Sequence, residues 1–411
     1  MPVDTTVRPA NGPVQRADRA LAPDLTRGAM LLIIALANAA GVAFAGEPGL
    51  PSDPQGAERG LTFLLFELAH ARGYPVFAFM FGYGMVQLAR RQDTLGSSPR
   101  QVRALLLRRG FWLTVLGFAH AALLYYGDFL GAYGIVCVAV TLTLLRRGDR
   151  FHRIVLVIWA LSLLELLVLG GIVVHRVLTG SGDAPLPVGH VDSLATASYA
   201  DSIAARLAEW PAHTLSTLPF VVIAWLGMWA ARRRVLERPG AHRTLLVRTA
   251  VAGIGIALVG ALPAALVGAG WLGVDASTAR LALLLHGGSG MFAGPGYVAV
   301  FGLLAARVTR PDGPVVRGLA ALGRRSLSGY LFQSVAWLVL LLPFTLDLAG
   351  RGAGAPTAVV VLVAAGVWLA SVLIALRLDA RDRPGPAETV LRRLTYGAAA
   401  RRRRRSHGRA A

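Results

Sequence analysis

Long apolar runs alternate with short polar, arginine-rich stretches along nearly the whole 411-residue chain. Ten runs read as membrane helices, at about 28–45, 73–88, 110–126, 129–145, 154–174, 215–231, 248–270, 281–304, 326–346 and 357–376, because a bilayer core of about 30 Å is crossed by roughly 20 apolar helical residues. A shorter piece, 61–71, carries Glu67 and His70 and reads as an interfacial helix. Gly82 and Gly84 in FMFGYG have the spacing that lets helices approach closely. The runs at 248–270 and 281–304 read as broken by Gly and Pro, around Pro263 and in HGGSGMFAGPGY. The largest polar excursion ends near Thr214, and 307–325 reads as a basic linker. The first run ends in Ala43-Phe44-Ala45, a sequence like a signal-peptidase site, but the long polar leader before it favours a retained helix over a cleaved signal peptide. The expected fold is an all-α, multi-pass membrane bundle of about ten helices. Its parts are a disordered leader (1–27), a membrane domain (28–380) and a basic tail (381–411).

Composition narrows the class. The chain is 55% apolar and 16% charged, with a mean hydropathy of +0.56, which excludes an ordinary soluble domain. The formal charge of +20 comes from 42 basic residues, every one an arginine. The loops 90–109, 146–153, 232–248 and 307–325 hold 21 of them, whereas the alternate loops hold only Arg59, Arg72, Arg176, Arg206, Arg280 and Arg351. This is the positive-inside pattern rather than a nucleic-acid footprint, and it places both termini in the cytoplasm of a bacterial plasma membrane. The arginine run at 401–405 suits anionic lipid headgroups, at about 1 kcal/mol per residue near the surface. A lone cysteine, Cys137, permits neither an intramolecular disulfide nor a cysteine metal centre, and no metal is expected.

Polar groups inside apolar runs are the candidates for chemistry, since Asp at a helix centre costs roughly 2.5–3.5 kcal/mol on insertion scales. In RRGFWLTVLGFAHAALLYYGDFLGAYGIVCV, His120 lies within one helix and Asp128 at its junction with the next. Asn38 and His120 each follow an inner arginine, Arg27 and Arg109, by eleven residues, or roughly 16 Å of helix. Gln333 lies roughly 12 Å beyond Arg325, and His286 roughly 9 Å below the outer surface. Asp128 falls at the outer mouth. Asp128 also reads as a plain turn residue bonding its own backbone, and Asn38 and Gln333 as interhelical glue. On one straight helix His120 and Asp128 would stand roughly 12 Å apart, so contact requires the chain to turn at Gly127.

DLTRGAMLLIIALAN, FAFMFGYG, GFAHAALLYYGDFLGAYG, GPGYVAVFG, GRRSLSGYLFQS and GPAETVLRRLTYG together resemble the YeiB family, defined by domain of unknown function 418. The resemblance covers about residues 24–397. That family in turn resembles the transmembrane acyltransferases, which implies transfer of an acyl group from cytoplasmic acyl-CoA to an envelope or extracellular acceptor. On that reading His120 is the general base, with Asp128 orienting it or binding the acceptor. Asn38, His286 and Gln333 contact a small-molecule acceptor, and Arg27, Arg108, Arg109, Arg324 and Arg325 hold the phosphates of acyl-CoA. Two other readings stand beside it. One is a transporter of a small polar or anionic solute through the same polar band. The other is a membrane protein without chemistry.

Overall fold

The computed structural model describes residues 20–308, 313–350 and 354–407, with side chains to residue 397. Among these, helix dominates. In the first half α1 spans Leu21–Ala43, α2 Ala57–Leu68, α3 Gly73–Thr94, α4 Pro99–Leu123, α5 Leu130–Thr143, α6 Asp149–His152 and α7 Ile154–Thr179. In the excursion the short α8 (Asp192–Ala195) and the 19-residue α9 (Tyr199–Thr217) follow. A 3₁₀ turn, Leu218–Phe220, then leads into α10 (Val221–Arg232) and α11 (Arg243–Gly268). The chain finishes with α12 (Ala276–Arg307), α13 (Pro314–Gly323), α14 (Ser326–Leu340), α15 (Pro356–Ala380) and α16 (Pro386–His407). Two short strands, β1 (Gly46–Glu47) and β2 (Gly189–His190), pair antiparallel.

Helix α1 is the hub. It packs against α3, α12, α13, α14 and α15, and Met30, Leu31, Ala35 and Ala39 on it are wholly buried. It begins earlier than the apolar pattern suggests. Residues 21–27, assigned above to the leader, form its first turns: Pro23 stands where a missing N–H costs nothing and Asp24 faces the positive end of the helix. Residues 1–19 of the leader lie outside the described residues, as do the side chains of the arginine run at 401–405.

Among the described residues, six helical stretches are long and apolar enough to cross a membrane: Leu21–Ala43, Asp149–Thr179, Tyr199–Arg232, Arg243–Gly268, Ala276–Arg307 and Pro356–Ala380. On α7 the side chains of Leu161, Leu164, Leu167, Val168 and Leu178 are all exposed. Exposed leucine on this scale is foreign to a water-facing helix and natural against lipid tails. The architecture is compatible with an all-α membrane bundle.

Three expectations need correction. The Gly- and Pro-containing runs are not broken: Pro263 and Pro295 lie inside continuous α11 and α12. Their glycines serve packing instead, since a Cβ on Gly253 would come 2.6 Å from the Phe292 carbonyl oxygen and one on Gly260 2.3 Å from Ser289 Cβ. The basic linker holds α13, whose residues Ala320 to Gly323 are buried where it packs against α1 and α15. The excursion before Thr214 holds α9, which packs on α4 and α5.

The polar loops sort to two ends. At one, Arg90 donates to the Ala231 carbonyl (2.6 Å), Arg232 to Asp149 (2.8 Å) and Arg108 to the Thr395 carbonyl (3.1 Å). At the other, Glu58 accepts from the backbone N–H groups of Thr357 and Ala358 (2.7 and 3.1 Å). There too Arg176 donates to Ser277 (2.7 Å), and β1 meets β2. Arginine-rich loops thus meet one another, and so do the arginine-poor ones.

The FMFGYG glycine gives a direct test of the packing. A Cβ on Gly82 would lie 1.8 Å from the Ala224 carbonyl oxygen on α10. Gly82→Ala must force α3 and α10 apart, at about 1–3 kcal/mol for overpacking, and is expected to lower the thermal midpoint in detergent. Gly366→Ala, with open space around it, is expected to leave that midpoint in place.

Candidate functional site

The turn between α4 and α5 brings His120 and Asp128 together. Helix α4 ends at Leu123, and the chain runs non-helically through Tyr125–Gly127 before α5 starts at Leu130. That reversal carries Asp128 back against α4, where its Oδ1 lies 2.9 Å from His120 Nδ1. The same carboxylate accepts from Leu130 N (3.1 Å) and Gly131 N (2.7 Å), so it also anchors the first turn of α5. Both earlier readings of Asp128 therefore apply at once: it is a turn residue and it holds the imidazole. It is fully buried, not at an open mouth. Gly117 makes room for this, since a Cβ there would come 2.5 Å from Asp128 Oδ2.

The other imidazole nitrogen, Nε2, lies 2.8 Å from Ser334 Oγ on α14. Tyr330, one turn earlier on α14, places its ring 5.0 Å from the imidazole and donates its hydroxyl to the Gly127 carbonyl at 3.2 Å. Helix α9 closes another side. His213 packs edge-on to Tyr126 and Phe129, at 5.5 and 5.4 Å between ring centres.

A cavity of about 840 Å³ opens at the arginine-rich end and runs toward this cluster. Arg27, Arg91, Arg109, Arg324, Arg325, Arg383 and Arg392 line it, with Asp24, Asp379, Asp382 and Glu388. Its deep part is aromatic, lined by Tyr74, Phe77, Phe129, Tyr133 and Tyr330. The wall at Tyr330 separates it from His120. Asp379 engages Arg324 (2.6 Å) and Arg325 (3.2 Å). Arg91, Arg109 and Arg392 form no salt bridge among the described residues.

Residues 230–398 match the family described as "Protein of unknown function (DUF418)". The chain carries a DUF418 region. It is also similar to the "Uncharacterized protein YxaH" of Bacillus subtilis (strain 168), 24% identical over 340 residues, or 78% of each chain. A second similar protein is the "Uncharacterized 39.9 kDa protein in amylase 3'region" of Bacillus acidopullulyticus. There the identity is 34% over 108 residues, 26% of this chain and 29% of that one. The DUF418 region contributes Tyr330, Ser334 and most of the cavity arginines, whereas His120 and Asp128 come from before it.

The other expected residues scatter around this centre. Asn38 Oδ1 accepts from Tyr74 (2.9 Å), and Tyr74 stacks on Phe129 at 4.0 Å. Gln333 Nε2 donates to the Leu31 carbonyl (3.2 Å), tying α14 to α1 beside Ser334. Arg27, Arg109, Arg324 and Arg325 share the cavity, but Arg108 bonds α16 at Thr395 and is not part of its wall. His286 belongs elsewhere. It stacks on Phe66 at 4.9 Å, with His70 on the same ring at 4.8 Å, near Arg72. In this second cluster Glu67 Oε1 and Oε2, His70 Nε2, Arg72 Nη1 and both His286 ring nitrogens are buried without hydrogen-bond partners among the described residues. Among the described residues no group of three or more His, Cys, Asp or Glu could hold a metal ion.

Sequence reasoning missed Ser334, Tyr330, His213, Arg91 and Arg392. Ser334 stands next to the singled-out Gln333, but a serine in an apolar helix carries no signal of its own. His213 lies in the excursion that read as a polar loop.

The second cluster has a pH signature. Burial, reinforced by Arg72, pulls His70 down to about 4, while burial pushes Glu67 up. As pH falls from the ordinary histidine value of about 6.5 toward 4, the unfolded chain takes up a proton that folded His70 refuses, and stability drops. Glu67 acts oppositely, so a variant comparison isolates the histidine. The thermal midpoint of His70→Gln relative to the wild type is expected to rise as pH falls through that window. A flat difference would place His70 in a solvated site.

Proposed function

We propose that this protein is a membrane-embedded acyltransferase that moves an acyl group from cytoplasmic acyl-CoA to an acceptor on the far side. One observation carries the reading: a single cavity joins an arginine-lined mouth to an aromatic floor that ends against a buried His120–Asp128 pair. Arg91, Arg109 and Arg392, with Arg27, suit the phosphates of the donor. The aromatic floor suits an acyl chain. His120, held through Nδ1 by a carboxylate, presents Nε2 as a candidate general base.

The reading includes ten spans with cytoplasmic termini in the plasma membrane: the six long stretches with α3, α4, α5 and α14. Helices α5 and α14 have 14 and 15 residues, so each covers only about 21–23 Å. Non-helical backbone completes each crossing, which is tolerable where protein buries it. Reporter fusions after Arg146, Arg234 and Arg317 are expected on the cytoplasmic side, and one near Gly189 outside. A cytoplasmic Gly189 with an external Arg234 would overturn this topology.

A second reading, transport of a small polar or anionic solute, is favoured by the unpartnered atoms of Glu67, His70 and Arg72 beside His286 of α12, since buried ionisable groups within or against a membrane span mark solute and proton paths. Release of CoA from acyl-CoA in membranes supplied with envelope extract separates the two. His120→Gln keeps a hydrogen bond but loses the titrating nitrogen. It is expected to lower turnover about 10²-fold or more with folding intact. Near-normal turnover would remove His120 from catalysis. Solute flux in proteoliposomes without CoA release would establish the transport reading instead, and neither activity would leave a protein without chemistry of its own.

A further inference from the structure

We propose that Ser334 is a nucleophile, and that the acyl group passes through an ester on its hydroxyl before reaching the acceptor. The donor in this proposal rests on the acyltransferase reading; the activated serine rests on geometry alone.

Three side chains from three separate segments line up. Ser334 Oγ lies 2.8 Å from His120 Nε2, and His120 Nδ1 lies 2.9 Å from Asp128 Oδ1. All three are buried, at 1%, 4% and 0% exposure. The direction of the hydrogen bonds follows from the carboxylate. Both Asp128 oxygens already receive backbone N–H groups, and a carboxylate oxygen accepts. It therefore draws the proton of the neutral imidazole to Nδ1, which leaves the Nε2 lone pair facing the Ser334 hydroxyl. This is the relation a serine nucleophile has to its base and to the base's orienting acid.

Distances argue against an ordinary helical serine. Such a serine returns its proton to the carbonyl four residues back, as Ser371 does to Val367 at 2.9 Å and Ser162 to Ile158 at 3.0 Å. The matching distance for Ser334, to Tyr330 O, is 3.3 Å, longer than its contact with the imidazole. On this proposal the hydroxyl proton goes to the nearer partner, His120.

Access and charge stabilisation have candidates on the same helix. Tyr330, one turn before Ser334, forms the cavity wall, held by its hydroxyl to Gly127 O. Rotation of that ring would join cavity and serine. One turn after Ser334, the indole N–H of Trp337 is buried without a partner, a donor available to an oxyanion.

In the first half-reaction Ser334 Oγ attacks the thioester carbonyl while His120 Nε2 takes the hydroxyl proton. The tetrahedral adduct collapses with cleavage of the C–S bond, and CoA leaves as the thiol with the proton from Nε2. In the second, an acceptor hydroxyl attacks the ester carbonyl, His120 takes its proton, and the C–Oγ bond breaks as that proton returns to Ser334. Nothing is oxidised or reduced. Splitting the transfer lets the donor leave from the arginine-rich end before an acceptor arrives from the other.

The test uses the full chain purified in detergent. A fluorophosphonate probe, which needs an activated serine, is expected to label the peptide containing Ser334. Labelling is expected to vanish in Ser334→Ala and to slow about 100-fold or more in His120→Gln. Incubation with radiolabelled acetyl-, octanoyl- or palmitoyl-CoA without acceptor is expected to leave one hydroxylamine-labile acyl group per chain on Ser334, with a matching burst of CoA. Ser334→Cys, which keeps a nucleophile should Ser334→Ala fail to fold, is expected to carry a thioester instead. Two results would overturn the proposal. One is CoA release at the wild-type rate in Ser334→Ala, which would leave one-step acyl transfer standing. The other is a well-folded wild-type chain that neither the probe nor any acyl-CoA modifies. Probe labelling at Ser334 without use of any acyl-CoA would support the nucleophile and remove the acyl-CoA donor.

Discussion

The carboxylate of Asp128 fixes everything near the centre of this protein. A buried carboxylate is tolerable only with polar partners on its lone pairs, and Asp128 finds three: the His120 ring and the Leu130 and Gly131 amides. Meeting all three at once dictates the path of the chain. Helix α4 must end at Leu123, the backbone must double back through Tyr125–Gly127, and α5 must begin at Leu130. The imidazole is then held in one orientation, with Nε2 turned toward α14. A turn, a helix start and the orientation of an imidazole are consequences of one side chain. Replacing it by an apolar residue would leave two amides and a ring nitrogen unsatisfied together.

That arrangement works only because neighbouring helices come close. Gly117 gives the Asp128 oxygens their space, and α14 must be pinned within hydrogen-bonding distance of α4. The pin is built from the DUF418 region. Glu388 in α16 receives Leu327 N (2.9 Å) and Ser328 N (3.1 Å) at the start of α14, and Gln333 ties the helix to α1. Asp379 in α15 holds Arg324 and Arg325 just before α14 begins. The same residues that fix α14 thus shape the cavity wall, which couples the geometry at Ser334 to the charged mouth. Of the seven arginines lining that mouth, Arg324 and Arg325 engage Asp379 and Arg27 lies 4.0 Å from Asp24, whereas Arg91 on α3, Arg109 on α4 and Arg392 on α16 form no salt bridge among the described residues.

Much of this was legible in the sequence because hydropathy and charge report on the environment of whole segments. Every apolar run became a helix, and arginine-rich loops met one another, since both follow from the cost of placing polar groups in lipid. The His120–Asp128 contact was legible only conditionally: eight residues separate the two on paper, and Gly127 was the visible reason to expect a reversal. Features that depend on which face of a helix meets which neighbour were not legible. Glycines in α11 and α12 looked like breaks because spacing alone does not distinguish a kink from a close approach. The helix α13 hid in a basic linker because arginines flank its buried Ala320–Gly323 segment. Ser334 and His213 became interesting only once α14 and α9 were placed, for their importance lies in what they touch.

The centre is also asymmetric. On one side a single ring, Tyr330, stands between the imidazole and an open cavity. On the other, α9 lies across the turn, with Trp210 against Gly131 and His213 edge-on to Tyr126 and Phe129. Pro211 stands between those two contacts, and with no N–H of its own it weakens the helical ladder where α9 covers the site. The buried indole N–H of Trp210 and Nε2 of His213 have no hydrogen-bond partners, so this cover is held by packing more than by polar bonds. A molecule from the arginine-rich end needs a side-chain rotation to reach Ser334, whereas one from the opposite end must displace a helix. A covalent intermediate suits such a site, because the easy entrance can be used and vacated before the difficult one opens.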